Sequence, residues 1–279
     1  MINTLQIKQQ QLAKGFFTIG SGPEVILVMG SCRVINFVTY LSEWNEANGN
    51  RFTIHSIDPF SWNWDEKEER TDYAKVLLEL EHHEGLLSML KSVDILIHEY
   101  YANAGMFNCK VPSDKNIYQF GMNPQIDICL PNFNDCFILF SDLVSFDADL
   151  RKKAIADYNV IGKLSEQTKD EIFKKSQFGI EKFYYVCRGS DVPEMQDYFA
   201  ENFKKQRLFW TYNHTSKWFT LAIFNFINGK FLHLDLSNGF NKDHEDMFAN
   251  NYTKLTEYDI EMYGYDWGEE IIPLKDKLF

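Results

Sequence analysis

No C-x-x-C pair stands anywhere in the 279 residues, and the adjacent His82 and His83 have no cysteine beside them, so the ligand spacing of a zinc site is missing. The five cysteines, Cys32, Cys109, Cys129, Cys136 and Cys187, are odd in number and scattered, which fits reduced thiols in a cytosolic protein. Long basic runs are absent too. At a formal net charge of -12 the chain lacks the clustered Lys and Arg that nucleic acid or an anionic membrane surface would need. The opening MINTLQIKQQQLAKG has no basic start followed by an apolar core and a small-residue cleavage site, and no later apolar run reaches membrane-spanning length. These absences predict a cytoplasmic protein with no metal site, no nucleic-acid partner and no membrane span.

What is present is a chain that is 45% hydrophobic and 16% aromatic, enough for a sizeable core and for aromatic-lined clefts that suit a sugar or a nucleotide-like ligand. One stretch organises it, EVILVMGSCRVINFVTYL from Glu24 to Leu41. Val25 to Met29 is the apolar run of a fully buried parallel strand, and Gly30 interrupts it. Val34, Phe37, Val38 and Leu41 then recur at helical spacing, so Ser31, Cys32 and Arg33 fall at a strand-to-helix turn. Open α/β sheets bind ligands at the carboxyl ends of their strands, and a helix N-terminus there favours thiolate over thiol. Cys32 is therefore the candidate nucleophile. The competing reading is a tight turn in which Ser31 caps the helix and Cys32 is a small buried hydrophobe.

Further along, Gly15 to Gly20 suggests an edge strand, Phe52 to Ile57 a second inner strand, and Val93 to Ile97 a third, with His98 and Glu99 at its end. Between the last two, Tyr73, Val76, Leu77, Leu80, Leu87 and Leu90 mark a helix. The alternation predicts an α/β fold with a mostly parallel sheet flanked by helices, Val25 to Met29 central in it. Ile126 to Leu130 and Cys136 to Phe140 read as further strands, as does Asn116 to Phe120. Asp147 to Phe178 is charged and helical with a break near Gly162, and Pro193 to Lys205 is another helix. Residues 145–206 form a helical insertion or cap on a single domain, 1–279. Leu208 to Tyr212 returns to strand composition, Asn213-His214-Thr215-Ser216 follows, and Trp218 to Ile227 is a buried helix. His214, like Cys32, thus lies where a strand gives way to a buried helix. It is the best placed of the seven histidines. His55 and His233 lie in strand-like runs and His244 in an acidic loop. The aromatic, acidic tail from Asp243 reads either as a lid or as a subunit contact, which keeps a homo-oligomer among the expectations.

Gly30-Ser31-Cys32-Arg33 after a strand, Asn213-His214-Thr215-Ser216-Lys217 before an apolar helix, and more weakly Val93-Asp94-Ile95-Leu96-Ile97-His98-Glu99 resemble the WcbI-like capsule-polysaccharide biosynthesis family. That family has Gly-Asn-Cys-Gln at the first place and Asn-His-Pro at the second. The resemblance implies an SGNH-hydrolase-like three-layer sandwich and coenzyme A-dependent acetyl transfer to a polysaccharide. It puts Cys32 at the place of the SGNH serine and His214 at that of the general base. Ser31, Arg33 and Thr215 depart from the family's Asn, Gln and Pro. No Asp stands three residues before His214, so the usual Asp-x-x-His is missing. Glu99 is the first choice for the third member and Asp235 the second.

The expected chemistry is acyl transfer from coenzyme A or acetyl-coenzyme A to a carbohydrate acceptor. Cys32 serves as nucleophile or acceptor-positioning thiolate and His214 as base. The backbone N–H of Cys32 and Asn103 would hold the oxyanion, and Arg33 and Lys217 would pair with the phosphates, beside Ser31 and Asn213 in the cofactor site. Two rivals stay open: an SGNH-like esterase or deacetylase with a cysteine nucleophile, and a non-catalytic anion- or nucleotide-binding domain.

Overall fold

The computed structural model describes residues 16–30, 34–57, 64–65, 70–71, 84–99, 121–133, 136–237, 240, 246, 248–265, 267 and 269–279. The chain divides into two compact units. The first contains 1–132, 190–192 and 220–247, and the second contains 133–189, 193–219 and 248–279.

The first unit is built on a mixed five-stranded sheet. Its elements are β1 (Phe16–Ile19), β2 (Glu24–Met29), α1 (Ile35–Ala47), β3 (Phe52–Ile57), the short antiparallel pair β4 (Trp64–Asp65) and β5 (Arg70–Thr71), α2 (Glu84–Lys91), β6 (Ile95–Glu99) and β7 (Ile126–Leu130). The strand order is β1-β3-β2-β6-β7. β1 runs antiparallel to β3 at one edge, whereas β3, β2, β6 and β7 pair in parallel. β2 is central, as its unbroken apolar run requires: Ile26, Leu27 and Val28 are fully buried. Two polar side chains set the sheet's starting edge by bonding backbone groups that no strand partner reaches. Asp94 accepts from the Val25 N–H (2.8 Å) while its own N–H donates to Val25 O (2.9 Å). Asn45, at the end of α1, bonds both the N–H and the carbonyl of Phe52, at 2.8 and 2.9 Å. Across the outer edge of β7, Asp191 accepts from the Cys129 N–H (2.7 Å) and returns its own N–H to Cys129 O (2.8 Å), covering an otherwise open edge. α1 is buried nearly all round, with Phe37 and Tyr40 against Phe224 and Tyr40 also against Phe240.

The second unit is mostly helical, with α3 (Phe140–Phe146), α4 (Ala148–Ile161), α5 (Glu166–Gly189) and α6 (Met195–Asn202). A hairpin of β8 (Phe209–Thr211) and β9 (His214–Thr215) leads into α7 (Lys217–Ile227), whose first turn is counted here. β10 (Leu255–Thr256), α8 (Glu257–Tyr263), β11 (Ile271–Ile272) and α9 (Leu274–Leu278) complete it. Asp147 caps α4 by accepting from the Asp149 and Leu150 N–H groups, and Gly162 ends that helix at φ 69°. Phe133, Phe183, Phe199, Phe209 and Phe219 pack ring on ring, with centroids between 4.4 and 6.0 Å apart. Arg207 fastens the hairpin to the tail. Its guanidinium forks onto Glu269 (2.5 to 3.0 Å), donates to the carbonyls of Phe209 and Thr253, and lies over the rings of Trp210, Tyr252 and Trp267.

Three expectations are corrected here. Cys136 to Phe140 is not a strand. It is an extended run that packs on α5, where Ser176 Oγ donates to Ile138 O (2.6 Å). There Gly179 approaches so closely that a Cβ would stand 2.1 Å from Phe137 O, so a helix surface takes the place of a neighbouring strand. Phe140 already belongs to α3. His233 is not in a strand either: it sits at φ 50° closing a wide π-type turn, Asn228–Leu232, with its N–H donating to Asn228 O. The third inner strand runs from Ile95 rather than Val93 and includes His98 and Glu99, because Val93 and Asp94 are spent on the turn from α2. Asn116 to Phe120 and Tyr73 to Leu80 lie outside the described residues.

Candidate functional site

In the first unit the carboxyl ends of β2 and β6 come side by side. Met29 is paired with His98, and Gly30 carries the chain out of β2 with its N–H on Ile57 O (3.0 Å). A Cβ at Gly30 would lie 2.4 Å from Val34 Cγ1 and 3.1 Å from Glu99 Cγ, so only glycine lets the chain leave the strand beside the Glu99 side chain. Glu99 is 2% exposed at the last position of β6. Its neighbour His98 is fully buried, with Nδ1 3.2 Å from Glu99 O and Nε2 3.1 Å from Asp127 Oδ1 on β7. Glu99 therefore stands at the edge where parallel sheets bind ligands, whereas His98 reaches back along β7 to Asp127, the half-buried second residue of that strand. Cys32, Ser31 and Arg33, which follow Gly30, and Asn103 lie outside the described residues. Asp235, also in this unit, accepts from the Ser237 N–H (2.9 Å) and hydroxyl (2.7 Å), which holds its carboxyl below the usual carboxylate range.

In the second unit the β8–β9 hairpin carries His214. The sequence placed His214 just before a helix; the structure puts it in β9, paired with Thr211. Ser216 then opens α7, accepting from the Phe219 N–H (3.3 Å) and donating its own N–H to Leu208 O (2.8 Å). The imidazole stacks on Phe248 (centroids 4.3 Å, 21° between planes), and Nδ1 lies 2.8 Å from Thr211 Oγ1. Thr211 Oγ1 in turn donates to Asn213 Oδ1 (2.9 Å). A hydroxyl has one proton, and with that proton on Asn213 the contact to His214 is completed by an Nδ1–H donor. This arrangement fits an imidazole that donates from Nδ1 and carries its lone pair on Nε2. Lys217, first residue of α7, holds its ammonium 4.5 Å from the centre of the Trp218 ring.

Of the residues singled out from the sequence, Glu99 is in the first unit and His214, Asn213 and Lys217 are in the second. Two partners were missed. Thr211 stands three residues before His214, the position where no Asp was found, and its hydroxyl lies against the imidazole Nδ1. Asp127, opposite Leu96, meets His98 diagonally across a pair of parallel strands, a register that local sequence does not encode. Among the described residues no group of three or more His, Cys, Asp or Glu could hold a metal ion, and no helix is long and apolar enough to cross a membrane.

No family model matches the chain, and no curated protein matches it. A solved structure of WcbI, described as a novel polysaccharide biosynthesis enzyme, in its native form without a disulfide bond between coenzyme A and a cysteine of that protein, is similar at 12% identity. The likeness covers 80% of this chain and 74% of that one, with a TM-score of 0.43.

Proposed function

We propose that this protein is a coenzyme A-dependent acyltransferase, acetyl-coenzyme A its donor and a sugar hydroxyl its acceptor. The observation that carries the reading is His214, half-buried in a hairpin, with Nδ1 tied to the Thr211–Asn213 pair. A general base needs its imidazole held in this way. In the proposed cycle Cys32 Sγ attacks the thioester carbonyl, and the coenzyme A thiolate leaves and takes up a proton. The acceptor hydroxyl then attacks the acyl-cysteine, giving its proton to His214 Nε2 and returning the thiolate of Cys32; His214 releases that proton to solvent, which balances the one the coenzyme A thiolate took up from it. Glu99 is proposed as the carboxylate of the site, Ser31, Arg33, Asn213 and Lys217 as contacts to coenzyme A, and Asn103 as an oxyanion donor.

A thermal-shift titration with coenzyme A, acetyl-coenzyme A and inorganic phosphate tests the ligand. Stabilisation by coenzyme A and acetyl-coenzyme A beyond that by phosphate is expected, weakened by Arg33→Ala and Lys217→Ala. Equal responses, or none, leave the transferase without a donor. Intact-mass analysis after incubation with acetyl-coenzyme A tests the nucleophile: an acetyl adduct that is lost in Cys32→Ser is expected. His214→Gln should lower turnover by about 10²- to 10⁴-fold with the adduct still able to form.

A further inference from the structure

We propose that the groove between α5 and the α3–α4 elbow binds a neutral oligosaccharide. It encloses about 640 Å³, within the range of small-ligand sites. All of its lining belongs to the second unit. The apolar surface comes from Phe137, Leu143, Phe146 and Phe178, and the rings of Phe146 and Phe178 are 51% and 67% exposed. Rings left this open on a stable helical surface offer the C–H faces of pyranose rings something to pack on.

The charges decide what kind of ligand fits. Asp147, Asp149 and Glu171 stand against Lys174, Lys175 and Lys182, three of each sign, so the groove has no net charge to attract an anion or a cation. Several are already engaged: Lys175 with Asp147 at 2.5 Å, and Glu171 with Lys153 at 2.6 Å. A phosphate or a fatty carboxylate at Lys175 would have to displace Asp147, and anywhere in the groove it meets carboxylates beside the lysines. Sugar hydroxyls, which donate and accept, can instead join both members of each pair without breaking it. The floor is fixed: Gly179 seats α5 directly on the Phe137 backbone. The groove also adjoins the His214 hairpin. Tyr212, two residues before His214, stacks on Phe137 (4.5 Å, 8°) and lies 4.7 Å from Phe146. The bound sugar's role as acyl acceptor rests on the transferase reading; its binding does not.

Isothermal titration and saturation-transfer NMR of the full chain with maltotriose, chitotriose and lactose test it, with sialyllactose, octanoate and coenzyme A as charged probes. At least one neutral sugar should bind at millimolar concentration or below, and Phe178→Ala or Phe146→Ala should weaken it by about tenfold. Phe178 is exposed enough that its variant keeps the parent unfolding temperature, which separates lost contact from lost fold. No neutral sugar binding at about 10 mM overturns the proposal. So does sugar binding that survives both substitutions, or a charged probe that binds there in preference. Sugar binding without acetyl transfer would remove the transferase and keep the groove; acetyl transfer to a sugar whose binding ignores Phe178 would do the reverse.

Discussion

The two units place their polar groups differently. In the sheet unit Asp94, Asn45 and Asp191 bond backbone at strand ends and edges, over a core of aliphatic strands. In the helical unit buried side chains bond one another across long stretches of chain. Asp259 accepts from the Ser141 N–H 118 residues away and from the Thr256 N–H and hydroxyl, Tyr263 bonds Ser176, and Arg207 forks onto Glu269. The first arrangement follows from periodicity and backbone pairing, and its aliphatic core tolerates the loss of one side chain at the cost of a cavity. The second depends on specific partners, so deleting one leaves another buried without its match.

The largest expected effect therefore lies in the helical unit. Arg207→Met removes a guanidinium whose side chain is 4% exposed and leaves Glu269, 26% exposed, facing aromatic rings. We expect a loss of about 4 kcal/mol, part of it restored by adding Glu269→Leu. Denaturant unfolding of both variants measures it. A cost below about 1 kcal/mol would break the contrast drawn between the units.

Next is the sheet. Leu27→Ala empties a fully buried position in the central strand and should cost about 3 kcal/mol through lost transfer energy and a residual cavity. Its signature is a lower midpoint at an unchanged m-value, since the surface exposed on unfolding stays nearly the same.

A third prediction uses pH to separate the units. Burial, with help from nearby Asp259, pushes the Asp142 carboxyl up to about 7, against the lowering pull of a Thr253 hydrogen bond and of Lys277 and Arg207. Its Oδ1 is buried without a hydrogen-bond partner. Burial raises Asp259 as well. A raised carboxyl keeps its proton in the folded state while the unfolded chain loses it near pH 4, so the stabilisation is complete below that and is lost as pH rises through about 7. Unfolding free energy should fall across this window with a slope approaching about 1.4 kcal/mol per pH unit. Asp142→Asn should flatten it and be the more stable protein at pH 8. A wild-type profile that is flat or rises from pH 5 to 8 would refute the assignment.

These contrasts also explain what could be read from the sequence. Val25 to Met29 announced a central strand because burial on both faces leaves no alternation, and Gly162 and the helices around it followed from local spacing. His214 stood out because its junction is local. Cys136 to Phe140 misled because its apolar, β-prone residues are satisfied by helix α5 instead of a strand. Arg207 carried no signal at all, since Glu269, Thr253, Tyr252 and Trp267 are brought in by the tail. Thr211 was legible in position and missed in chemistry.

The smallest effect comes from the same chemistry as the largest. Arg51 forks onto Glu24 at 2.7 and 2.8 Å, linking the starts of β3 and β2 as Arg207 links hairpin and tail. Here the side chains are 46% and 39% exposed, and water competes for both. Glu24→Gln keeps the shape and removes the charge, while leaving the Arg51 guanidinium over the Phe52 ring at 4.9 Å. We expect a cost below about 1 kcal/mol, shrinking further in high salt. A double-mutant cycle on each Arg–Glu pair, run in the same buffer, puts the comparison on one scale. Coupling several times larger at Arg207 would show that burial, and not the fork geometry the two pairs share, sets the difference between the units; equal coupling would show the reverse.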